Sequence, residues 1–345
     1  MRIAVIGATG NVGTALLRRL RLAAQEDPSI SIVGIARRLP STDQEPYSGV
    51  EWHSADVGTD RGRTNLTTAL EGADAVVHLA WAIQPNRDEA AMHRTNVIGT
   101  QNALRAAADA GVRHFVCASS VAAYSPAPKD ETVDETWPTS GIASSHYSRF
   151  KAAQEELLDE FETNYPEIPV ARLRPGLSFN TEAGSEIGRY FLGPLVPKGL
   201  VKRLGLLQVL PIPAQLVFQA VHVDDVAQAY WLAVSHRASG AFNIAANPVL
   251  TPELVAGILG ARRVLNIPVP LLRSLVAASW TLRLQTTDPG WIDMAAQAPV
   301  MNTDHARAVL GWKPEYTSID AIRQVLDGID SGSGLKGSPL LHPSK

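Results

Sequence analysis

Arg2-Ile3-Ala4-Val5-Ile6-Gly7-Ala8-Thr9-Gly10-Asn11-Val12-Gly13 is the stretch whose reading decides the fold. Residues 3–6 are a short, apolar, largely β-branched run, the pattern of a buried strand. The glycine turn Gly7–Gly13 follows with no linker. After it Ala15, Leu16, Leu17 and Leu20 recur at helical spacing among Arg18, Arg19 and Arg21. Glycines let the backbone turn tightly and come close to a pyrophosphate. The N-terminus of the next helix offers free N–H groups and a partial positive charge to that anion. A plain strand-to-helix turn is the simpler reading, but strand, turn and helix in this order favour a dinucleotide site. The spacing is G-x-x-G-x-x-G, not the G-x-G-x-x-G of the general fingerprint.

Outward from this turn, strand-like and helical runs alternate. Strands are predicted over 3–6, 31–36, 75–79, 114–118 and 169–173, and helices over 12–23, 64–70, 88–110 and 145–165. Such alternation predicts an α/β fold, a doubly wound parallel sheet of the Rossmann type. Ligands on these sheets sit outside the carboxyl ends of the strands. Past residue 173 proline and glycine become frequent. A regular helix returns over 222–235 and a strand over 241–245, and short helices with prolines follow from 248 to 312. The expected organisation is a nucleotide-binding domain (1–176 plus 221–247), a discontinuous substrate lobe (177–220 plus 248–330) and a mobile tail (331–345) rich in Gly, Ser and Pro.

The chain has 345 residues, 45% of them apolar and 19% charged, with a formal net charge of −3. That balance points to neither nucleic acid nor an anionic membrane as partner. Cys117 is the single cysteine, and the nine histidines form no H-E-x-x-H, so neither a disulfide framework nor a metal is expected. The first residues do not read as a signal peptide, and no stretch of about 18 apolar residues suggests a membrane span. The expected location is the cytoplasm.

Tyr147 and Lys151 stand four apart on the helix predicted over 145–165, which puts both side chains on one face. A free tyrosine, with a pKa of about 10, is a poor base at neutral pH, and a neighbouring ammonium lowers that value. The pair then suits proton exchange with a hydroxyl. Spacing alone fits a solvated helix face equally well. Ser120 adds to the case: it follows the strand 114–118 at the ligand-binding end, where its hydroxyl can reach a substrate oxygen. Turn chemistry or an N-cap is the plainer role for Ser119 and Ser120.

With these residues placed, the chain resembles the extended short-chain dehydrogenase/reductase family, in its NAD-dependent epimerase/dehydratase branch. The resemblance spans about the first 250 residues. It rests on the order Gly7–Gly13, His78-Leu79-Ala80, Asn96-Val97-Ile98-Gly99-Thr100, Ser119–Tyr124, Tyr147 with Lys151, Arg174-Pro175-Gly176 and Val221–Ala227, with an echo at Leu310-Gly311-Trp312-Lys313-Pro314. It implies an enzyme in which Tyr147 is the general acid/base, Lys151 lowers the tyrosine pKa and holds the nicotinamide ribose, and Ser120 orients the substrate oxygen. Gly7, Thr9, Gly10, Asn11, Val12, Gly13, Asp56, Leu79, Ala80, Asn96 and Pro175 are then the expected cofactor-binding positions. Asn96 is open between cofactor contact and helix support. His222 and Asp224 read as a satisfied histidine and an Asp cap.

The adenine end is ambiguous. Strand 31–36 should end beside the adenosine ribose, where a carboxylate would select NAD. Here Ala36 is followed by Arg37 and Arg38, and a guanidinium fits a 2′-phosphate. That leans toward NADP; two solvated arginines are the other reading. The apolar stretch 190–221 is either packed core or a pocket for a lipophilic alcohol or ketone. Sugar-nucleotide epimerase, ketone reductase and non-catalytic dinucleotide sensor all remain open. The resemblance also implies a homodimer through helices 88–110 and 145–165.

Overall fold

The computed structural model describes residues 1–84, 87–192 and 208–343. Seven strands form one parallel sheet: β1 (Arg2–Ile6), β2 (Ser31–Ala36), β3 (Glu51–Ser54), β4 (Ala75–His78), β5 (Phe115–Ala118), β6 (Val170–Pro175) and β7 (Gly240–Ile244). Their order across the sheet is β7-β6-β5-β4-β1-β2-β3. Helices α1 (Asn11–Glu26) and α5 (Val223–Ser235) cover one face; α2 (Asp60–Leu70), α3 (Gly99–Asp109) and α4 (His146–Asn164) cover the other. Strand order reverses between β1 and β4, which opens a crevice at their carboxyl ends, where such sheets bind ligands.

The predicted strands and helices fall on observed ones, with ends shifted by a few residues. The helix expected over 88–110 is broken. A turn and a half at Glu89–His93 passes into a π-helical turn, Arg94–Ile98, before α3. The cause is Asn96: its buried carboxamide accepts from Ala82 N (2.6 Å) and donates to Ala82 O (2.8 Å), which clamps the loop after β4. Such π turns commonly mark functional sites.

Around this sheet lie two-stranded parallel pairs, Leu177–Phe179 with Ala220–His222 and Val209–Pro211 with Arg263–Leu265. Helices α6 (Val269–Thr281), α7 (Gly290–Gln297) and α8 (Ser318–Ser331) follow them in the chain. Trp312, fully buried, donates from Nε1 to Asp225 O (2.8 Å), and the Asp225 carboxylate accepts from Glu315 N and Tyr316 N. The two sequence signatures at 221–227 and 310–314 are thus one contact. The expected Asp224 cap is replaced: His222 Nδ1 accepts from Asp224 N (3.3 Å), because its ring is held there by Gln324 on α8 (3.0 Å).

The segment expected as a mobile tail is packed. Leu341 is fully buried, Ser338 nearly so, and Gly337 O accepts from Ser41 N (3.1 Å). Composition misled there because the glycines and serines serve a compact loop. The core of the apolar stretch 190–221, residues 193–207, lies outside the described residues. Among the described residues no helix is long and apolar enough to cross a membrane.

Candidate active site

The glycine turn joins β1 to α1 at the reversal of strand order. Gly7 has φ +87°, and a Cβ there would lie 2.7 Å from Ala80 N. A Cβ on Gly13 would lie 2.4 Å from Gly7 O, so this glycine lets α1 sit against the turn. Gly10 differs: its nearest obstacle is Gly7 O at 3.5 Å, and its Cβ position faces open space. Gly10 is the N-cap of α1 and supplies no capping side chain. The result is an uncapped helix N-terminus under an open backbone, which is what a pyrophosphate requires.

A cleft starts at this turn. Gly7, Thr9 and Gly10 form its middle, with Ala36, Arg37, Arg38, Ala55 and Val57 at one end and Leu79, Ala80 and Trp81 toward the other. Of the remaining expected cofactor positions, none is on the described wall. Asn11 donates to Ser178 O (3.4 Å) and leaves a buried, unpartnered Oδ1. Val12 and Gly13 belong to the first turn of α1. Asp56 Oδ1 caps the turn at Gly58 N (3.0 Å), Asn96 holds the Ala82 loop, and Pro175 ends β6. Arg37 is exposed at the cleft mouth, with no hydrogen bond or ion pair from its guanidinium among the described residues.

Ser120 lies just past β5 and N-caps the short 3-10 turn Val121–Ala123 through Ala122 N (3.1 Å). Helix α4 is docked on this turn by one side chain. Ser148 Oγ donates to Ala122 O (2.5 Å) and accepts from Ile142 N (2.7 Å). Tyr147, one residue earlier, is thereby brought beside Ser120, whose hydroxyl acts to lower the phenol's pKa. Serine and tyrosine therefore meet where the sequence placed them.

Lys151 departs from expectation. Its ammonium donates to Ala118 O (2.6 Å) and Gln154 Oε1 (3.0 Å) and lies 3.5 Å from the centre of the Trp81 ring. Burial pushes its pKa down to about 7. Burial also raises the Tyr147 phenol above its ordinary value, against the opposing Ser120 hydrogen bond. Burial is the largest influence on both groups, raising the phenol and lowering the ammonium.

Sequence reasoning missed two features. The first is Glu155, one turn after Lys151 and fully buried. It accepts from Ser119 Oγ (2.5 Å), Arg174 Nε (2.8 Å), Arg174 Nη2 (2.9 Å) and Arg172 Nη1 (3.1 Å). Burial acts to raise its pKa, but Arg174, Arg172 and Ser119 outweigh it and hold the carboxyl below the ordinary range. Arginines two apart on a strand facing a glutamate on the Lys151 helix face were the available signal. The second is an aromatic wall. Trp81 packs edge-on to Tyr147 (5.8 Å between ring centres), Trp291 lies 4.9 Å from Tyr147, and Phe191 meets Trp291 at 4.9 Å. These rings come from three distant segments, and no local pattern joins them.

Comparison with known proteins agrees with this architecture. The chain is 28% identical over 297 residues to a UDP-glucose 4-epimerase of Rhizobium leguminosarum bv. trifolii, covering 81% of this chain and 84% of that one. It is 25% identical over 340 residues to the 4-hydroxy-2-methyl-3-oxo-4-farnesyl-3,4-dihydroquinoline-1-oxide ketoreductase of Stigmatella aurantiaca, covering 94% and 96%. The dTDP-glucose 4,6-dehydratase of Streptomyces venezuelae, solved with NAD bound, superposes with a TM-score of 0.69 at 19% identity, covering 95% and 96%. The chain spans only 31% of the length of the first curated relatives it matches, uncharacterised mycobacterial proteins 27% identical to it. The family profile covers residues 3–245, and the chain belongs to the NAD dependent epimerase/dehydratase family.

Proposed function

We propose that this protein transfers a hydride between a nicotinamide dinucleotide and a secondary alcohol or ketone, with Ser120, Tyr147 and Lys151 as its proton-transfer set. The observation that carries this reading is the placement of the Tyr147 phenol beside Ser120 at the carboxyl end of β5, next to the crevice that holds the open glycine turn. When bound, the dinucleotide supplies the hydride donor or acceptor. Tyr147 Oη gives a proton to the substrate oxygen or takes one from it, and Ser120 Oγ holds that oxygen in place. A charged Lys151 favours the Tyr147 phenolate, and the phenolate in turn favours the charge on Lys151.

The aromatic wall supports an apolar, flat ketone as substrate. Trp81 and Trp291 pack against the Tyr147 phenol and Phe191 packs against Trp291, and aromatic surroundings bind apolar planar groups well. The ketoreductase relative is consistent with this. A sugar-nucleotide epimerase is the second reading, favoured by the Rhizobium relative. Arg37, with no hydrogen bond or ion pair from its guanidinium among the described residues, supports NADP at least as well as NAD. We also infer a homodimer through α3 and α4. The deciding experiment follows dinucleotide absorbance with a panel of aromatic and isoprenoid ketones against UDP-sugars. Turnover of ketones supports the first reading and epimerised sugar the second. Dinucleotide binding with no turnover of either class sinks both and leaves a sensor.

A further inference from the structure

The segment 335–342 crosses the dinucleotide cleft and is tied on both sides of it. Ser338 is its hub: the nearly buried Oγ donates to Thr9 O (3.0 Å) in the glycine turn and accepts from Leu341 N (3.0 Å) and Leu340 N (3.2 Å). Gly337 lies against the ring of Tyr47, whose hydroxyl bonds Thr14 Oγ1 on α1 (2.9 Å). On the other side Arg189, from the turn Gly188–Leu192, donates to Leu340 O (2.8 Å) and His342 O (3.3 Å). Between these anchors Pro339 and Leu340 form part of the cleft wall, together with Thr9, Gly10 and Arg37.

We propose that residues 335–342 are a cofactor-retaining strap that completes the dinucleotide site and slows release of the bound dinucleotide. This rests on the dinucleotide reading of the cleft.

The contacts favour retention over blockage. A plug would put an acceptor on the free N–H groups at the start of α1. The strap instead spends its one hydroxyl on the Thr9 carbonyl, and no strap atom among the described residues bonds the N–H groups of Gly10–Gly13. What it offers the cleft is apolar, Pro339 and Leu340. Residues 335–342 contain no Asp or Glu, while Lys336 is cationic, so the segment does not repel a pyrophosphate. An apolar cover over a bound anion shields its hydrogen bonds from water and acts mainly on the dissociation rate.

The test is stopped-flow dissociation of NADPH and of NADH, read by quenching of protein fluorescence, in the full chain and three variants. Deletion of 335–345 should raise the dissociation rate at least tenfold and leave association unchanged or faster. Arg189→Ala and Ser338→Ala, which keep Leu341 available to its buried site, should raise it several-fold. Unchanged dissociation in both point variants, each with wild-type unfolding behaviour, overturns the strap. So does tighter binding in the deletion, which would mark the segment as a plug. A wild-type chain that binds neither dinucleotide overturns the site reading itself, whatever the variants do.

Discussion

The two ends of the cleft are built from different material. At the dinucleotide end the backbone does the work: a Cβ on Gly7 or Gly13 would lie only 2.7 Å or 2.4 Å from backbone atoms, so no side chain fits, and Gly10 leaves room above a bare helix N-terminus. At the substrate end side chains do it: a phenol, an ammonium and three aromatic rings from separate segments. A backbone-built site leaves a spacing in the sequence, because glycine is the one residue that fits. A site built from side chains far apart in the chain leaves none.

The comparison is sharpest when each end is broken alone. Tyr147→Phe removes only the oxygen proposed to transfer the proton. Turnover should fall about 10²–10⁴-fold with dinucleotide affinity intact, since general acid–base catalysis contributes that much. Gly10→Val should do the reverse. Its Cβ meets ordinary contact distances, so the fold should survive while dinucleotide affinity collapses by calorimetry. A Tyr147→Phe enzyme with wild-type rates, or a Gly10→Val protein with wild-type affinity, would erase the division of labour between the ends.

Glu155 separates support from chemistry at the substrate end. Removing one member of a buried ion pair typically costs about 3–5 kcal/mol, because the partner's charge is left unpaired. Glu155→Gln should therefore destabilise the protein strongly at neutral pH. Arg174 suffers more than Arg172, which keeps Asp159 (2.6 Å) and Glu162. The wild-type carboxyl titrates below its unfolded value of 4.5. Its contribution is thus fully present above about pH 4.5 and is lost as pH falls through the lower folded value. Urea titrations of both proteins from neutral pH down to acid should show the gap between them narrowing in that window. A gap that stays constant to the acid end would mean that the carboxylate is not what holds Arg174.

Much of the fold was legible, for a physical reason. The predicted strands of the sheet are mostly apolar, with Arg172, His78 and His114 among the exceptions, because both faces are covered, and composition alone reveals such runs. Ser120 and Tyr147 were legible because one follows a strand end and the other opens a helix. The failures share a cause. The position of Lys151 on its helix could be read from spacing, but its electrostatics depend on Ala118 O, Gln154 and Trp81, which only the tertiary structure supplies. The aromatic wall joins residues 81, 147, 191 and 291, which no window spans. The 331–343 segment has the composition of a loose tail, yet Ser338 finds Thr9 at the far end of the chain.

The smallest expected effect tests the mouth of the dinucleotide end, where a side chain, not the backbone, would discriminate. Arg37 is exposed and unpaired among the described residues, and β2 ends at Ala36 with no carboxylate to exclude a 2′-phosphate. A well-formed charge-assisted contact to phosphate is worth about 1.5–3 kcal/mol, and solvent and salt reduce it for an exposed arginine. Arg37→Ala should therefore weaken NADP binding by less than that range and leave NAD nearly unchanged. The difference should shrink as salt rises, since screening acts on the phosphate contact and not on the apolar walls both dinucleotides share. Four dissociation constants, each dinucleotide with wild type and variant, at low and high salt, decide it. A wild type that prefers NAD, with equal losses for both in the variant, would make Arg37 a solvated bystander and leave discrimination to the backbone as well.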